Sequence, residues 1–282
     1  MGVGEHPTSS VKGLSSRGEN ARKPLPEYIM ASFRRASQCY DATKNPSGLL
    51  DLSVAQNVLT AGLIAERLAL VPPLPARVLK YDSMGGNREF RNSLATFFEQ
   101  YLTFYPMKSE HFVSAAGAGA SLEMLCMSLF ESGDSILTPT PMYAGFPNDV
   151  GSRAGCRIVH APMEMNHRVT VDVLRRGWIN AGGSGSNIRG LLLCSPNNPT
   201  GQVFEKSELI DIIHWAREVG LQIMVDEVYG WSVFDEVKPF TSVFTALCGD
   251  LGDDVHIIWS FSKDFCASGF RVGVVFSQNK AV

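Results

Sequence analysis

The chain has 282 residues, room for about two domains, or one large one, at roughly 150 residues each. Hydrophobic residues make up 45% and charged residues 19%, an ordinary globular balance that excludes a disordered chain. The formal net charge of −3 lacks the basic excess of a nucleic-acid binder, and no apolar run reaches the ~18 residues of a membrane span.

Residues 1–25 read as a flexible tail, Gly/Ser/charge-rich and without the apolar core of a secretory signal. Residues 26–80 read as an arm and part of a small domain. The apolar stretch Ala61 to Leu79 is broken by Glu66, Arg67 and the prolines at 72, 73 and 75. Phe90, Leu94, Phe97, Phe98 and Tyr101 recur at helical spacing and predict an amphipathic helix over Arg88–Leu102.

From there the pattern becomes regular. Predicted strands are Phe112–Ser114, Ser135–Thr138, Arg157–His160, Gly190–Cys194, Leu221–Asp226, Val255–Ser260 and Val272–Phe276. Helices are predicted at Ser121–Phe130 and Glu208–Val219, the second capped by Ser207 and stopped by Gly220. Gly182 to Ser186 reads as a short flexible loop. This alternation predicts an α/β fold over 81–282, with a mostly parallel seven-stranded sheet covered by helices on both faces. Ligands in such sheets gather beyond the carboxyl ends of the strands.

Four segments sit at those ends. Ala115–Ser121 is rich in small residues and suits either tight strand–helix packing or an anion at a helix N-terminus. Ser195-Pro196-Asn197-Asn198-Pro199-Thr200-Gly201 is turn-like, yet its asparagines could hold a polar ligand. Asp226 ends the apolar run from Leu221, so its carboxylate should be partly buried and need a partner. Lys263, in Ser260-Phe261-Ser262-Lys263, is either a solvated loop lysine or a reactive amine. The six cysteines are scattered without a CxxC pair, so a reducing, cytoplasmic setting is expected and no metal site is assigned. Proline in the middle of the triplets at Asn45 and Asn198 bars glycosylation.

Taken in order, these segments resemble the fold-type I enzymes that use pyridoxal 5′-phosphate, and within them the 1-aminocyclopropane-1-carboxylate (ACC) synthase-like branch of the class I/II aminotransferases. Tyr40-Asp41, Asn45-Pro46-Ser47-Gly48 and Gly269-Phe270-Arg271-Val272-Gly273 extend the likeness. The resemblance implies that Lys263 holds the cofactor as a Schiff base and then serves as base at Cα. It implies that Asp226 pairs with the ring nitrogen, and that Tyr229 and Asn198 donate to the ring 3-oxygen. Tyr143 would stack on the ring. The Ala118 and Gly119 amides, Ser260 and Arg271 would cradle the phosphate.

An amino-acid substrate, a 2-oxo-acid partner substrate and a homodimer are implied with it, but neither nucleic acid nor membrane. The reaction expected is transamination, with ACC synthase-like or C–S lyase elimination as alternatives. A different alternative is a truncated product that acts only as a binding partner. A dinucleotide-binding protein is disfavoured, since no acidic residue follows a GxGxxG turn. The sequence departs from the family at Gln56, where the family carries glutamate, and at Met84, the place of a tyrosine that reaches the neighbouring subunit's phosphate. The family's C-terminal small domain, with the arginine that grips the substrate carboxylate, is expected to lie beyond Val282.

Overall fold

The structure is a computed structural model that describes residues 13–15, 18–19, 27–52, 54–165 and 168–282. Most of the tail expected over 1–25 lies outside the described residues. Two compact units emerge, Met1–Ala55 and Gln56–Val282. In the first, helix Glu27–Arg35 is followed by a small tie in which Cys39 bridges Leu49 and Asp41 bridges Asn45. The Asp41 carboxylate accepts from the Thr43 and Lys44 amides at 2.9 and 2.7 Å, so Asp41 and Asn45 build a turn.

The second unit holds the sheet. Its strands are β1 (Phe112–Ala115), β2 (Ser135–Thr140), β3 (Arg157–Pro162), β4 (Ile188–Cys194), β5 (Gln222–Asp226), β6 (Val255–Ser260) and β7 (Gly273–Ser277). Each predicted strand is present, within two residues at its ends. The order across the seven-stranded sheet is β1-β7-β6-β5-β4-β2-β3. Pairs from β3 through β6 are parallel, while β7 runs antiparallel to both β6 and β1.

The inner strands carry near-continuous apolar runs, such as Leu191–Cys194 and Ile223–Val225, because both of their faces are covered. Leu191 and Leu193 point to one core with Ile223, Val225, Ile257 and Trp259. Leu192 and Cys194 point to the other with Met224 and Ile258. Helices Arg88–Phe98, Val171–Asn180, Lys206–Glu218 and Val243–Ala246 cover the first face. Helices Ala118–Leu129 and Phe146–Gly151 cover the second. No helix among the described residues is long and apolar enough to cross a membrane.

Helix ends differ from expectation in instructive ways. Helix Lys206–Glu218 is capped by Glu205, not Ser207: Glu205 and Glu208 form a reciprocal capping box, which places Ser207 inside the first turn. Gly220 stops this helix as expected, with φ of 76° just past its end. The predicted helix at Ser121 begins earlier, at Ala118, because Gly117 turns the chain with φ of 94°. The amphipathic stretch from Arg88 is α-helical to Phe98 and closes with a π-helical turn over Glu99–Thr103. The Gly182–Ser186 segment is a tight 3-10 turn.

Candidate active site

The carboxyl ends of β4, β5 and β6 meet in register: Cys194 lies beside Asp226, and Asp226 beside Ile258. A cavity of about 260 Å3 opens there, on the face covered by helix Ala118–Leu129. Every site residue expected from the sequence lines it: Ala118, Gly119, Tyr143, Asn198, Asp226, Tyr229, Ser260, Lys263 and Arg271.

At one end lies an anion cradle. Gly117 precedes the helix and offers no side-chain cap, which leaves the first amides turned outward. Arg271 reaches the same place, its guanidinium donating to Ala116 O at 3.4 Å and Ser268 O at 3.0 Å. Glycine is required twice here. A Cβ on Gly117 would sit 2.3 Å from an Arg271 nitrogen, and one on Gly273 would sit 2.3 Å from the Gly117 carbonyl carbon. Strand β7 and the helix entrance therefore touch backbone to backbone. Ser260 Oγ accepts from the Ser262 amide at 3.3 Å and caps the short helix Phe261–Asp264 that carries Lys263.

At the other end lies Asp226, 8% exposed at the last position of β5. Burial pushes its carboxyl up to about 7, although the Val228 amide donates to it at 3.3 Å and Lys263 opposes the rise. Lys263 shifts the other way: burial lowers its basicity first, Asp226 opposes that, and Arg271 adds to it. Its Nζ stands 5.9 Å from the centroid of the Tyr229 ring. Asn198 Nδ2 donates to the Tyr229 hydroxyl at 3.2 Å, and burial pushes that hydroxyl up to about 12. Tyr143 stands at the rim, edge-on to Phe146 with 5.3 Å between ring centroids.

The two asparagines of the Ser195–Gly201 segment divide the readings left open by the sequence. Asn197 builds the turn, accepting from Thr200 Oγ1 at 2.8 Å, while Asn198 faces the cavity. Asp149, Phe146 and Cys194 also line the cavity, and sequence reasoning missed them. Burial first, then Glu123, pushes Asp149 up to about 6. Tyr143, Phe146 and Asp149 recur at three-residue steps, but Tyr143 precedes the helix and the helix that presents the other two spans only Phe146–Gly151, too short for periodicity to register. Among the described residues no group of three or more His, Cys, Asp or Glu could hold a metal ion.

The arrangement fits a molecule with an anionic end and a basic ring nitrogen. The two-glycine cradle leaves room for the anion, and a buried acid awaits a cation. Lys263 adds an amine of lowered basicity.

A family model for aminotransferase class I and II matches residues 75–282. The 1-aminocyclopropane-1-carboxylate synthase 6 of Oryza sativa subsp. japonica is 30% identical over 302 aligned residues, covering 98% of this chain and 55% of that protein. For synthase 9 of Arabidopsis thaliana the figures are 32%, 96% and 62%. A probable inactive 1-aminocyclopropane-1-carboxylate synthase-like protein 2 of Mus musculus gives 34%, 90% and 47%. The chain thus spans roughly half the length of these curated relatives. Among solved structures, an aspartate aminotransferase from Thermotoga maritima matches with a TM-score of 0.73 at 22% identity, covering 95% of this chain and 67% of that one. One from Thermus thermophilus, with maleate, gives 0.72 at 20% identity, covering 96% and 66%.

Proposed function

Because the chain belongs to the class I and II aminotransferase family, whose enzymes depend on pyridoxal 5′-phosphate, we propose that it acts on an amino acid by transamination, with Lys263 as the cofactor lysine. The observation that carries this reading is the convergence of Lys263, Asp226, Tyr229, Asn198 and Arg271 on one cavity.

When bound, pyridoxal 5′-phosphate supplies an electron sink for the pair left on Cα as its proton departs. The chain's own groups do the rest. The uncapped Ala118 and Gly119 amides, Ser260 and the Arg271 guanidinium would bind the phosphate. Asp226 would hold a proton on the ring nitrogen by charge pairing, and that cation in turn relieves the cost of its burial. The Tyr229 hydroxyl stays protonated at neutral pH and can donate to the ring 3-oxygen, oriented by Asn198. Tyr143 would cover the ring face. Lys263 Nζ would hold the cofactor covalently and, once displaced by the substrate amine, take the Cα proton. Its lowered basicity makes it a free base at a lower pH than an ordinary lysine.

A second reading is the elimination chemistry of an ACC synthase, supported by the names of the rice and Arabidopsis relatives. Gln56, standing where the resemblance places a glutamate, argues against it. A homodimer and a cytoplasmic setting belong to the same proposal.

The test starts from the protein mixed with pyridoxal 5′-phosphate. A visible absorbance band that shifts on addition of an amino acid is expected. Borohydride reduction and peptide mapping should put the label on Lys263; label elsewhere removes the assignment. Formation of a 2-oxo acid together with an aminated acceptor identifies transamination. Release of a cyclopropane amino acid, or of ammonia, would favour elimination instead.

A further inference from the structure

The residue after the candidate cofactor lysine has a place in the site that neither end of the cavity explains. Asp264 does not line the cavity. Its carboxylate is turned to the rear and accepts hydrogen bonds from three separate donors. Trp259 Nε1, on β6, donates at 2.9 Å to Oδ2, and the Trp231 amide donates at 3.1 Å to the same oxygen. Ser232 Oγ donates at 2.8 Å to Oδ1. Burial raises its pKa, and these donors together with the Ser232 backbone amide oppose the rise.

The sequence positions of the donors give the arrangement its meaning. Trp259 precedes Ser260, the phosphate-side serine and cap of the Lys263 helix. Trp231 and Ser232 belong to the 3-10 turn Gly230–Ser232, which begins one residue after Tyr229. One carboxylate thus ties together the end of β6, the turn that carries Tyr229, and the helix that carries Lys263. That helix, Phe261–Asp264, is a single turn and has little rigidity of its own. Aromatic packing reinforces the same joint: Phe265 lies 5.9 Å from Trp231 and 5.8 Å from Trp259 between ring centroids.

We propose that Asp264 is a positioning residue that sets where Lys263 Nζ stands relative to Tyr229 and Asp226, by joining the lysine helix to the Tyr229 turn through the Trp231, Ser232 and Trp259 hydrogen bonds. This rests on the reading of Lys263 as the cofactor lysine. It acts through geometry rather than charge. Asparagine can keep the three hydrogen bonds named, because its Oδ1 can take both N–H donors while its Nδ2 donates to Ser232 Oγ, whose hydroxyl simply reverses. Alanine cannot.

The experiment compares the 282-residue chain with Asp264→Ala, Asp264→Asn and Ser232→Ala. Pyridoxal 5′-phosphate affinity is read by absorbance titration, the site of borohydride labelling by peptide mapping, and folding by thermal unfolding without cofactor. Asp264→Ala is expected to weaken cofactor affinity about tenfold or more and to spread label to other lysines, since misplacement of a reacting group by even ~1 Å is costly. Asp264→Asn should label Lys263 as the parent does and bind within about twofold of it. Ser232 is exposed, so Ser232→Ala should fold, and it should lose about threefold in affinity. Should Asp264→Ala fail to fold, Ser232→Ala decides, and parental affinity in it overturns the proposal. A lowered unfolding temperature in Asp264→Ala with parental affinity and labelling would make the residue merely structural and overturn it. So would an Asp264→Asn variant as impaired as the alanine. Absence of label on Lys263 in the parent itself overturns the cofactor reading, and this inference with it.

Discussion

Asn198 donates to the Tyr229 hydroxyl at 3.2 Å, so the ends of β4 and β5 are joined across the floor of the cavity by one side-chain hydrogen bond. The two groups should act as a unit. Tyr229→Phe and Asn198→Ala are each expected to weaken pyridoxal 5′-phosphate affinity about tenfold, and the double variant little further. The coupling energy in a double-mutant cycle should be about 1 kcal/mol. Additive losses, measured by absorbance titration, would show that the residues serve separate purposes.

Asp226 predicts a pH dependence of stability. Its carboxyl is raised from 3.8 to about 7 in the fold, chiefly by burial. The folded chain therefore holds a proton that the unfolded chain releases, and this residue's contribution to stability falls as pH rises from about 4 to 7. Asp226→Asn should make the cofactor-free chain more stable than the parent at pH 8, with the difference vanishing towards pH 4. With pyridoxal 5′-phosphate present the order should reverse at pH 8, because the parent gains a charge pair that the variant lacks. Thermal midpoints over this range, with and without cofactor, provide the check.

Gly117 has φ of 94° and lies against Arg271. Gly117→Ala should strain the backbone by ~1–3 kcal/mol, because ψ of 169° puts it in an essentially glycine-only region, and push the guanidinium out of the cradle. The expected result is a loss of affinity for pyridoxal 5′-phosphate much larger than for pyridoxal, which has no phosphate to lose. Equal losses for the two ligands would place Arg271 outside the phosphate site.

Glu227 is 3% exposed and accepts from Ser242 Oγ and the Val243 amide, both at 2.7 Å. Glu227→Ala leaves both buried donors unpaired and should cost about 3 kcal/mol in denaturant unfolding. Glu227→Gln can still accept through its carbonyl oxygen and should cost less. An alanine variant as stable as the parent would mean that water or a rearranged loop replaces the carboxylate.

Much of this molecule is legible in its sequence, for a physical reason. Strand Val255–Ser260 is buried at every position and apolar at all but His256 and Ser260, because both sheet faces are covered, and such short runs bounded by turns stand out. Asp226 is legible as a buried carboxylate because it ends an apolar run, whereas Asn198 and Lys263 lie in turn-like segments and take their proposed roles from the family resemblance. Tyr143 and Arg271 needed a family resemblance, since nothing in their local pattern marks them. Asp149 escaped because its helix is one and a half turns long. Asp264 escaped because its partners, Trp231, Ser232 and Trp259, are brought together only by the sheet. Glu205 was passed over as a cap because serine is the commoner choice, yet Glu208 three residues on completes the box from the opposite side.

The antiparallel insertion of β7 between β1 and β6 has a consequence for how the molecule is assembled. Phe112 pairs with Phe276, so the first strand of the sheet has no neighbour until the last one arrives. The anion cradle is split in the same way, with Gly117 just after the first strand and Arg271 just before the last. During synthesis on a ribosome, β2 to β6 can pair as they emerge, but the proposed phosphate seat is incomplete until β7 is in place. High sequence separation of this kind makes for slow closure. Cofactor capture should accordingly follow the seating of β7 rather than the earlier pairing of β2 to β6.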